Sequence, residues 1–398
     1  FYNASQVHET VTSDGNKVRV AIDSGQPVEW TTEDNYKFTL SKFQIIVPSN
    51  RYNEVRSLIK TDISDLSISR PRSRLNWGVD VPGDDEQIIY VWLDALISYL
   101  TVGGYPWDTK GEHGKESFTG RKPNAWPADI HIVGKDIIKF HTILWISFLM
   151  AAKLPLPKKI LAHSHWTLEK HKMSKSRGNV ICPFKLMNHY GVDAVRYYLL
   201  RDGGIADDGA YSEHIIGGRY RKDLAGQIGN LISRSTSHSL NPSSIVPKSP
   251  LLDGNLKENE VALMNILTNL PNLVDKHFEK FEFSKGLGLI FDAIAEVNKY
   301  FTDCEPWKLV SSPHARTPEN EELLNRTLFF SAETLRIAGI LLQSVMPTKM
   351  SELLDNLSVG KDERKWSDAK LGNGWPTMKD GKIVKFDVKG QLFPKLKD

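Results

Sequence analysis

The pattern of apolar residues changes near residue 211, and this change constrains the fold more than any other feature of the sequence. Before it, short apolar runs alternate with turn residues, and the segment 129–152 reads as a strand, a glycine turn and a helix. After it, long amphipathic segments cover roughly 213–238, 256–278, 284–303 and 319–345. The sequence therefore predicts an α/β class fold, a parallel-sheet unit followed by an α-helical bundle.

Composition sets further limits. A chain of 398 residues is long enough for two or three domains, and a net charge of +3 permits nucleic-acid binding without arguing for it. Cys182 and Cys304 are the only cysteines, too few for a disulfide framework or a zinc site, so a reducing compartment is expected. No apolar run reaches the roughly 18 residues that a membrane span needs, so no membrane partner is predicted.

Two segments of the first part carry aromatic stripes. The run 88–92 predicts a buried strand, and a helix that begins near it and ends at Leu100 would place Trp92, Ala95, Leu96 and Tyr99 on one face. The helix predicted over 137–152 carries a second stripe, formed by Ile137, His141, Leu144, Trp145 and Phe148. Periodicity alone favours ordinary core faces, and a histidine on such a stripe is more often a core histidine than a ligand contact.

The segment Lys172-Met173-Ser174-Lys175-Ser176 has the composition of a mobile surface loop. Serines favour turns, and two lysines three residues apart bring compact positive charge. A polyphosphate is the obvious target, because a lysine can neutralise charge that develops on leaving phosphates. Most Lys/Ser-rich decamers are nevertheless solvated basic loops.

Five motifs occur in this sequence in the same order as in a known protein family. The lysine loop, 90–99 and 131–141, together with 65–70 and 126–129, closely resemble methionyl-tRNA synthetases of the bacterial and mitochondrial branch, which are class I aminoacyl-tRNA synthetases. The resemblance runs from near residue 1 to about residue 350. It implies ATP-dependent activation of methionine to methionyl-adenylate and transfer of the methionyl group to tRNA(Met).

The resemblance also implies a role for individual positions. Lys172 and Lys175 would be catalytic and would bind ATP phosphates together with Ser174 and Ser176, while Gly134 and Asp136 would contact the nucleotide. Leu96 stands where a proline is common in the family. The expected methionine pocket comprises Trp92, Ala95, Leu96, Tyr99, Ile137, His141 and Trp145, and the expected anticodon readers are Asn230, Arg234 and Trp307. From their residue types alone, Asn230 and Arg234 fit a solvated helix face better than a binding site.

The family's domain order implies the following division of the chain: 1–44 as the end of a connective insertion, 45–165 as the second half of the nucleotide-binding domain, 166–210 as a linking region, 211–350 as the anticodon-binding domain and 351–398 as a tail. A His-Ile-Gly-His signature and a zinc knuckle are absent from the 398 residues. An incomplete synthetase with little ATP–pyrophosphate exchange of its own is therefore expected, and a tRNA-binding protein without catalysis is the alternative.

The expected small-molecule partners are methionine and ATP, with Mg²⁺ accompanying ATP and no zinc or other metal held by this chain. The macromolecular partner is tRNA(Met). The mitochondrial matrix or the cytoplasm is the expected compartment.

Overall fold

The structure is a computed structural model in which the chain divides into two compact units, 1–162 and 163–398. Each unit is described separately. The finer five-part division of the chain stays a prediction. The structure describes residues 7–11, 15, 17–22, 24–29, 37–38, 55, 66–106, 126–168, 170–174, 178–205, 207–247, 256–372 and 390–396.

The described residues of the first unit include small sheets and two longer helical segments, 91–102 and 135–151. The central strand of its three-stranded sheet pairs antiparallel with a neighbour on each side, and Gly83 makes the tight turn at one end with φ +81°. Its described strands are β1 (Val7–Val11), β2 (Lys17–Ala21), β3 (Lys37–Phe38), β4 (Leu66–Ser67), β5 (Ser69–Pro71), β6 (Asp80–Val81), β7 (Asp84–Ile89), β8 (His131–Gly134) and β9 (Ile160–His163). Two-stranded sheets join β1 to β2, β3 to β4 and β8 to β9, and the three-stranded sheet has the order β5-β7-β6.

The apolar run 88–92 is divided between two elements, so the prediction of one strand was wrong. Strand β7 ends at Ile89, and helix α1 (Val91–Val102) begins two residues later. Ile89 is the last residue of β7 with a partner in β5, and the Tyr90 N–H donates to the Ile68 carbonyl next to that pair. Trp92 consequently lies in the first turn of a helix.

The predicted helix over 137–152 has three geometries. A 3₁₀ turn (Lys135–Ile137) and a π-helical turn (Phe140–Leu144) precede helix α2 (Trp145–Ala151). The His141 and Thr142 side chains bond the carbonyls of Ile137 and Ile138 at 3.0 and 2.8 Å, which accompanies the wider turn. Residues 141–149 are all buried, so this segment is enclosed on every side and does not present a single stripe.

The second unit begins with a small sheet and continues as helices. Strand β10 (Trp166–Leu168) pairs antiparallel with β11 (His171–Lys172) and parallel with β12 (Gly209–Ala210). The helices are α3 (Pro183–Tyr190), α4 (Val192–Asp202), α5 (Glu213–Arg219), α6 (Asn230–Ser235), α7 (Glu258–Glu279), α8 (Phe283–Asp303), α9 (Pro306–Leu309), α10 (Pro318–Leu342) and α11 (Pro347–Asn356). A π-helical stretch (Tyr220–Gly229) joins α5 to α6. The predicted helical bundle is therefore present, and α3 and α11 are additions to it.

Helix α10 is the core of this bundle, because every residue from Arg326 to Leu342 is buried. A Cβ at Gly339 would lie 3.1 Å from Leu354, so glycine permits the close approach of α11. The fully buried Glu333 and Arg336 form an ion pair at 2.8 Å, and Arg336 also donates to the carbonyls of Asp368 and Lys370. These bonds hold the segment after α11 against the core. No helix in the described ranges is long and apolar enough to cross a membrane.

Candidate functional site

The predicted methionine pocket lies in the first unit, where α1 faces the π-helical turn. The Trp92 ring stacks on Phe140 with centroids 3.8 Å apart and planes 9° from parallel. The Tyr99 hydroxyl lies 2.8 Å from His141 Nε2, and the Tyr99 ring lies 5.9 Å from that of Trp145. The structure therefore brings together the aromatic members of the predicted pocket, Trp92, Tyr99, His141 and Trp145.

The hydrogen bonds of His141 determine its tautomer. Nδ1 lies 3.0 Å from the Ile137 carbonyl oxygen, which can only accept, so Nδ1 carries a proton. Burial lowers the pKa of His141, against a smaller raising effect of the bond to Ile137, so the ring is neutral and Nε2 is an acceptor. The Tyr99 hydroxyl must therefore donate to Nε2. Desolvation raises the pKa of Tyr99, which keeps this proton in place.

The aliphatic members of the predicted pocket differ in their surroundings. Leu96 is 1% exposed and belongs to the core cluster around Trp145, whereas Ala95 is exposed and Ile137 is half-buried. Leu96 thus contributes to the floor of the aromatic cluster. The roles of Ala95 and Ile137 stay predictions.

Sequence reasoning missed three aromatic residues of this cluster: Trp126, His131 and Phe140. His131 is 5% exposed and accepts a hydrogen bond from Trp145 Nε1 at 3.2 Å. Burial, with a smaller contribution from His141, lowers the pKa of His131 to about 4. Along β8, His131 and Val133 are buried and Ile132 is exposed. The sequence gives no signal for this inward-facing histidine, because Ile132 and Val133 are both apolar.

The predicted nucleotide contacts follow β8. Gly134 has extended backbone angles (φ −69°, ψ 149°), so its conformation is open to any residue and does not itself require glycine. Asp136 is exposed in the 3₁₀ turn that follows. Both residues lie at the carboxyl end of a strand, as the sequence predicts.

The lysine loop of the second unit is closed at its base by Asn179. The Asn179 side chain accepts from the Ser174 N–H at 2.9 Å and donates to the Lys172 carbonyl at 3.2 Å. Gly178 has φ +67°, a conformation that favours glycine. Lys172 is exposed at the end of β11. Lys175 and Ser176, the other predicted ATP ligands, lie outside the described residues.

The two predicted anticodon readers of α6, Asn230 and Arg234, pack against helix α8. Asn230 donates to Asn298 Oδ1 at 3.3 Å, and Arg234 donates to Thr302 Oγ1 at 3.2 Å, so both side chains contact α8. The Arg234 guanidinium also lies 5.4 Å from the centroid of the Phe301 ring.

Trp307 follows the end of α8. It lies in the short helix α9 and is 43% exposed, an unusual position for a large aromatic side chain. Glu305, the residue between Cys304 and the start of α9, has a left-handed backbone conformation with φ 43°. All three predicted readers are therefore held by α8 or by the segment that immediately follows it.

Within the described part of the chain, no three His, Cys, Asp or Glu side chains come together in a way that could hold a metal ion. Cys182 is exposed and Cys304 is half-buried.

Sequence comparisons place these features in a family. Residues 19–236 match the family "tRNA synthetases class I (M)". The probable mitochondrial methionine–tRNA ligase of Schizosaccharomyces pombe is 41% identical over 382 residues, which cover 93% of this chain and 68% of that protein. The mouse mitochondrial methionine–tRNA ligase is 36% identical, covering 100% and 69%. The methionine–tRNA ligase of the bacterium Caldanaerobacter subterraneus is 37% identical, covering 94% and 57%.

A solved structure has the same fold. Mycobacterium tuberculosis methionyl-tRNA synthetase in complex with methionyl-adenylate superposes with a TM-score of 0.84 at 34% identity, covering 99% of this chain and 74% of that one. The present chain spans between 57% and 69% of the length of the three curated relatives. Sequence, fold and the ordered motifs agree, and the chain belongs to the methionyl-tRNA synthetase family.

Proposed function

We propose that this chain acts in methionine–tRNA ligation: ATP-dependent formation of methionyl-adenylate, followed by transfer of the methionyl group to tRNA(Met). The observation that carries the proposal is the uncharged aromatic cluster of Trp92, Tyr99, His141 and Trp145. Family membership agrees with this chemistry.

The cluster suits a thioether side chain for two reasons. Sulfur makes favourable contacts with aromatic rings, and a flexible methionine side chain can adapt to the edges of several rings. His141 is neutral, and the Tyr99 hydroxyl proton is engaged with it, so this part of the pocket carries no charge that a thioether would leave unpaired. Ala95, Leu96 and Ile137 complete the proposed pocket.

The lysine loop is proposed to act on ATP. Lys172 and Lys175 would neutralise charge on the phosphates as pyrophosphate leaves, and Ser174 and Ser176 would donate hydrogen bonds to phosphate oxygens. Gly134 and Asp136 would contact the nucleotide, where a carboxylate can accept from a ribose hydroxyl. Mg²⁺ is expected with ATP, because phosphoryl oxygens commonly bind it together with few protein ligands.

The second unit is proposed to read the anticodon of tRNA(Met). An amide, a guanidinium and an exposed indole, from Asn230, Arg234 and Trp307, are groups that hydrogen-bond and stack on unstacked bases. The mitochondrial matrix is the proposed compartment, because the S. pombe and mouse relatives carry mitochondrial names. Bacterial relatives are also similar, which leaves the cytoplasm as the alternative.

Calorimetric titration of the chain with amino acids tests the pocket. Methionine should bind with one site per chain, and leucine and isoleucine should bind at least about tenfold more weakly, since apolar pockets discriminate such differences by roughly 10–200-fold. Equal affinities for the three amino acids, or the absence of methionine binding, would refute the proposal.

Replacement of Lys175 tests the loop. In adenylate-formation assays of an enzyme that carries this chain together with a His-Ile-Gly-His signature, Lys175→Ala should slow the reaction on the order of 100-fold, because one donor to the developing charge is lost. Methionine affinity, measured by the same calorimetry, should change little. An unaltered rate of adenylate formation would exclude Lys175 from the mechanism.

A further inference from the structure

His131 lies at the centre of the aromatic cluster of the first unit, although it belongs to a strand and not to either helical segment of the proposed pocket. Its ring centroid is 4.4 Å from that of Tyr99, 6.0 Å from that of Trp126 and 6.2 Å from that of His141. The side chain therefore touches or approaches two members of the pocket and is itself almost fully enclosed.

The strongest contact of His131 is polar. The Trp145 indole can only donate, and Trp145 is 1% exposed, so its N–H needs a protein acceptor. His131 Nε2 is that acceptor, at 3.2 Å. Because Nε2 accepts, the neutral ring carries its proton on Nδ1. A protonated ring would present a second donor to the indole N–H and would break the bond.

The two histidines therefore each orient one neighbouring side chain of the cluster. His141 accepts from Tyr99 and His131 accepts from Trp145, while the Tyr99 ring lies against His131. The Tyr99 hydroxyl and the Trp145 indole are thus oriented by two different neutral imidazoles. Rotation of the Trp145 indole would cost a buried hydrogen bond.

We propose that His131 is a positioning residue of the methionine pocket, which fixes the Trp145 indole by accepting its N–H and supports the Tyr99 ring from β8. The inference rests on the proposed function of the pocket. His131 acts through Trp145 and Tyr99, so its effect is on the shape and affinity of the pocket.

A pair of substitutions tests this role. His131→Leu removes the acceptor, whereas His131→Gln retains one, because the glutamine side-chain oxygen can replace Nε2. Methionine affinity, measured by calorimetry on the chain, should fall on the order of tenfold for His131→Leu, as expected when a buried donor loses its partner. For His131→Gln it should stay within about threefold of the wild type.

Two further readouts separate positioning from general destabilisation. The indole N–H resonance of Trp145, assigned by its loss in Trp145→Phe, should shift strongly in His131→Leu and only slightly in His131→Gln. Binding of tRNA should be unchanged in both variants, since the proposed anticodon readers belong to the second unit.

The outcomes are distinguishable. Wild-type methionine affinity in His131→Leu, or an equal loss in both variants, would overturn the positioning role and leave the proposed function intact. Failure of the wild-type chain to bind methionine would refute the proposed function, and the inference with it. Loss in His131→Leu with rescue in His131→Gln supports the proposal.

Discussion

At the scale of single residues, the histidines of the aromatic cluster depend on pH. His131 has a pKa of about 4 in the folded chain against about 6.5 when unfolded, and burial also lowers the pKa of His141. Between the folded and unfolded pKa values of His131, the unfolded state binds more protons than the folded state, so the free energy of unfolding rises with pH. The stabilising effect of a neutral His131 is complete above about pH 6.5 and is lost as the pH falls toward 4.

Urea unfolding at pH 7.5 and pH 5.0 measures this effect. The wild-type chain should lose more unfolding free energy on acidification than His131→Gln, by on the order of 1–2 kcal/mol, since one pKa unit corresponds to about 1.4 kcal/mol. Equal losses in the two proteins would show that folding does not lower the pKa of His131.

Residue types predict part of the site and miss the rest for a physical reason. Trp92, Tyr99, His141 and Trp145 follow from motif and spacing, and the structure brings them together. His131 comes from a strand, so helical periodicity cannot connect it to them. Ala95 shows the opposite limit, because it shares the predicted helix face and is nevertheless exposed.

At the scale of elements, Asn179 links the two ends of the lysine loop. Asn179→Ala removes both of its bonds, to Ser174 N–H and to the Lys172 carbonyl, and should increase local opening. Trypsin should then cleave after Lys172, Lys175 or Arg177 on the order of fivefold faster, with fragments identified by mass spectrometry.

Asn188→Ala is the matched control for this variant, because Asn188 is exposed on the adjacent helix α3. It should be cleaved in the loop at the wild-type rate. If Asn179→Ala were cleaved no faster than this control, the loop would not depend on the Asn179 bonds.

Helices were easier to predict than strands. The predicted 284–303 and 319–345 correspond closely to α8 and α10, because long amphipathic periods give many repeated observations of one face. The prediction of one strand over 88–92 was wrong because sheet pairing, which ends β7 at Ile89, depends on residues that are distant in the sequence. The π-helical turns depend on side-chain bonds to the backbone, which periodicity does not contain.

At the scale of the whole molecule, the stability of the helical unit depends on the buried pair of Glu333 and Arg336. Both side chains are 0% exposed, so Arg336→Ala would leave a buried carboxylate without its partner. Loss of one member of such a pair costs on the order of 3–5 kcal/mol, which urea unfolding would detect.

Two controls interpret that measurement. The double variant Glu333→Leu/Arg336→Met should be less destabilised than Arg336→Ala, because it removes both charges. Lys308→Ala, which removes the exposed pair with Glu305, should change stability by less than about 1 kcal/mol. A loss in Lys308→Ala equal to that in Arg336→Ala would contradict the assignment of stability to the buried pair.

The central claim, that this chain recognises methionine-specific tRNA, is tested most directly by RNA binding. The wild-type chain, Trp307→Ala and Trp77→Ala are titrated with tRNA(Met) and with the same tRNA carrying a swapped anticodon, at one fixed salt concentration. Trp77 is a matched control in the first unit, with 68% of its surface exposed.

The wild-type chain should prefer the CAU anticodon. Trp307→Ala should lose about 1–3 kcal/mol of binding to the matched tRNA, since a stacking surface is removed, and much less to the swapped one. Trp77→Ala should bind both like the wild type. Equal affinity of the wild-type chain for the two tRNAs, or an equal loss on both in Trp307→Ala, would contradict the account.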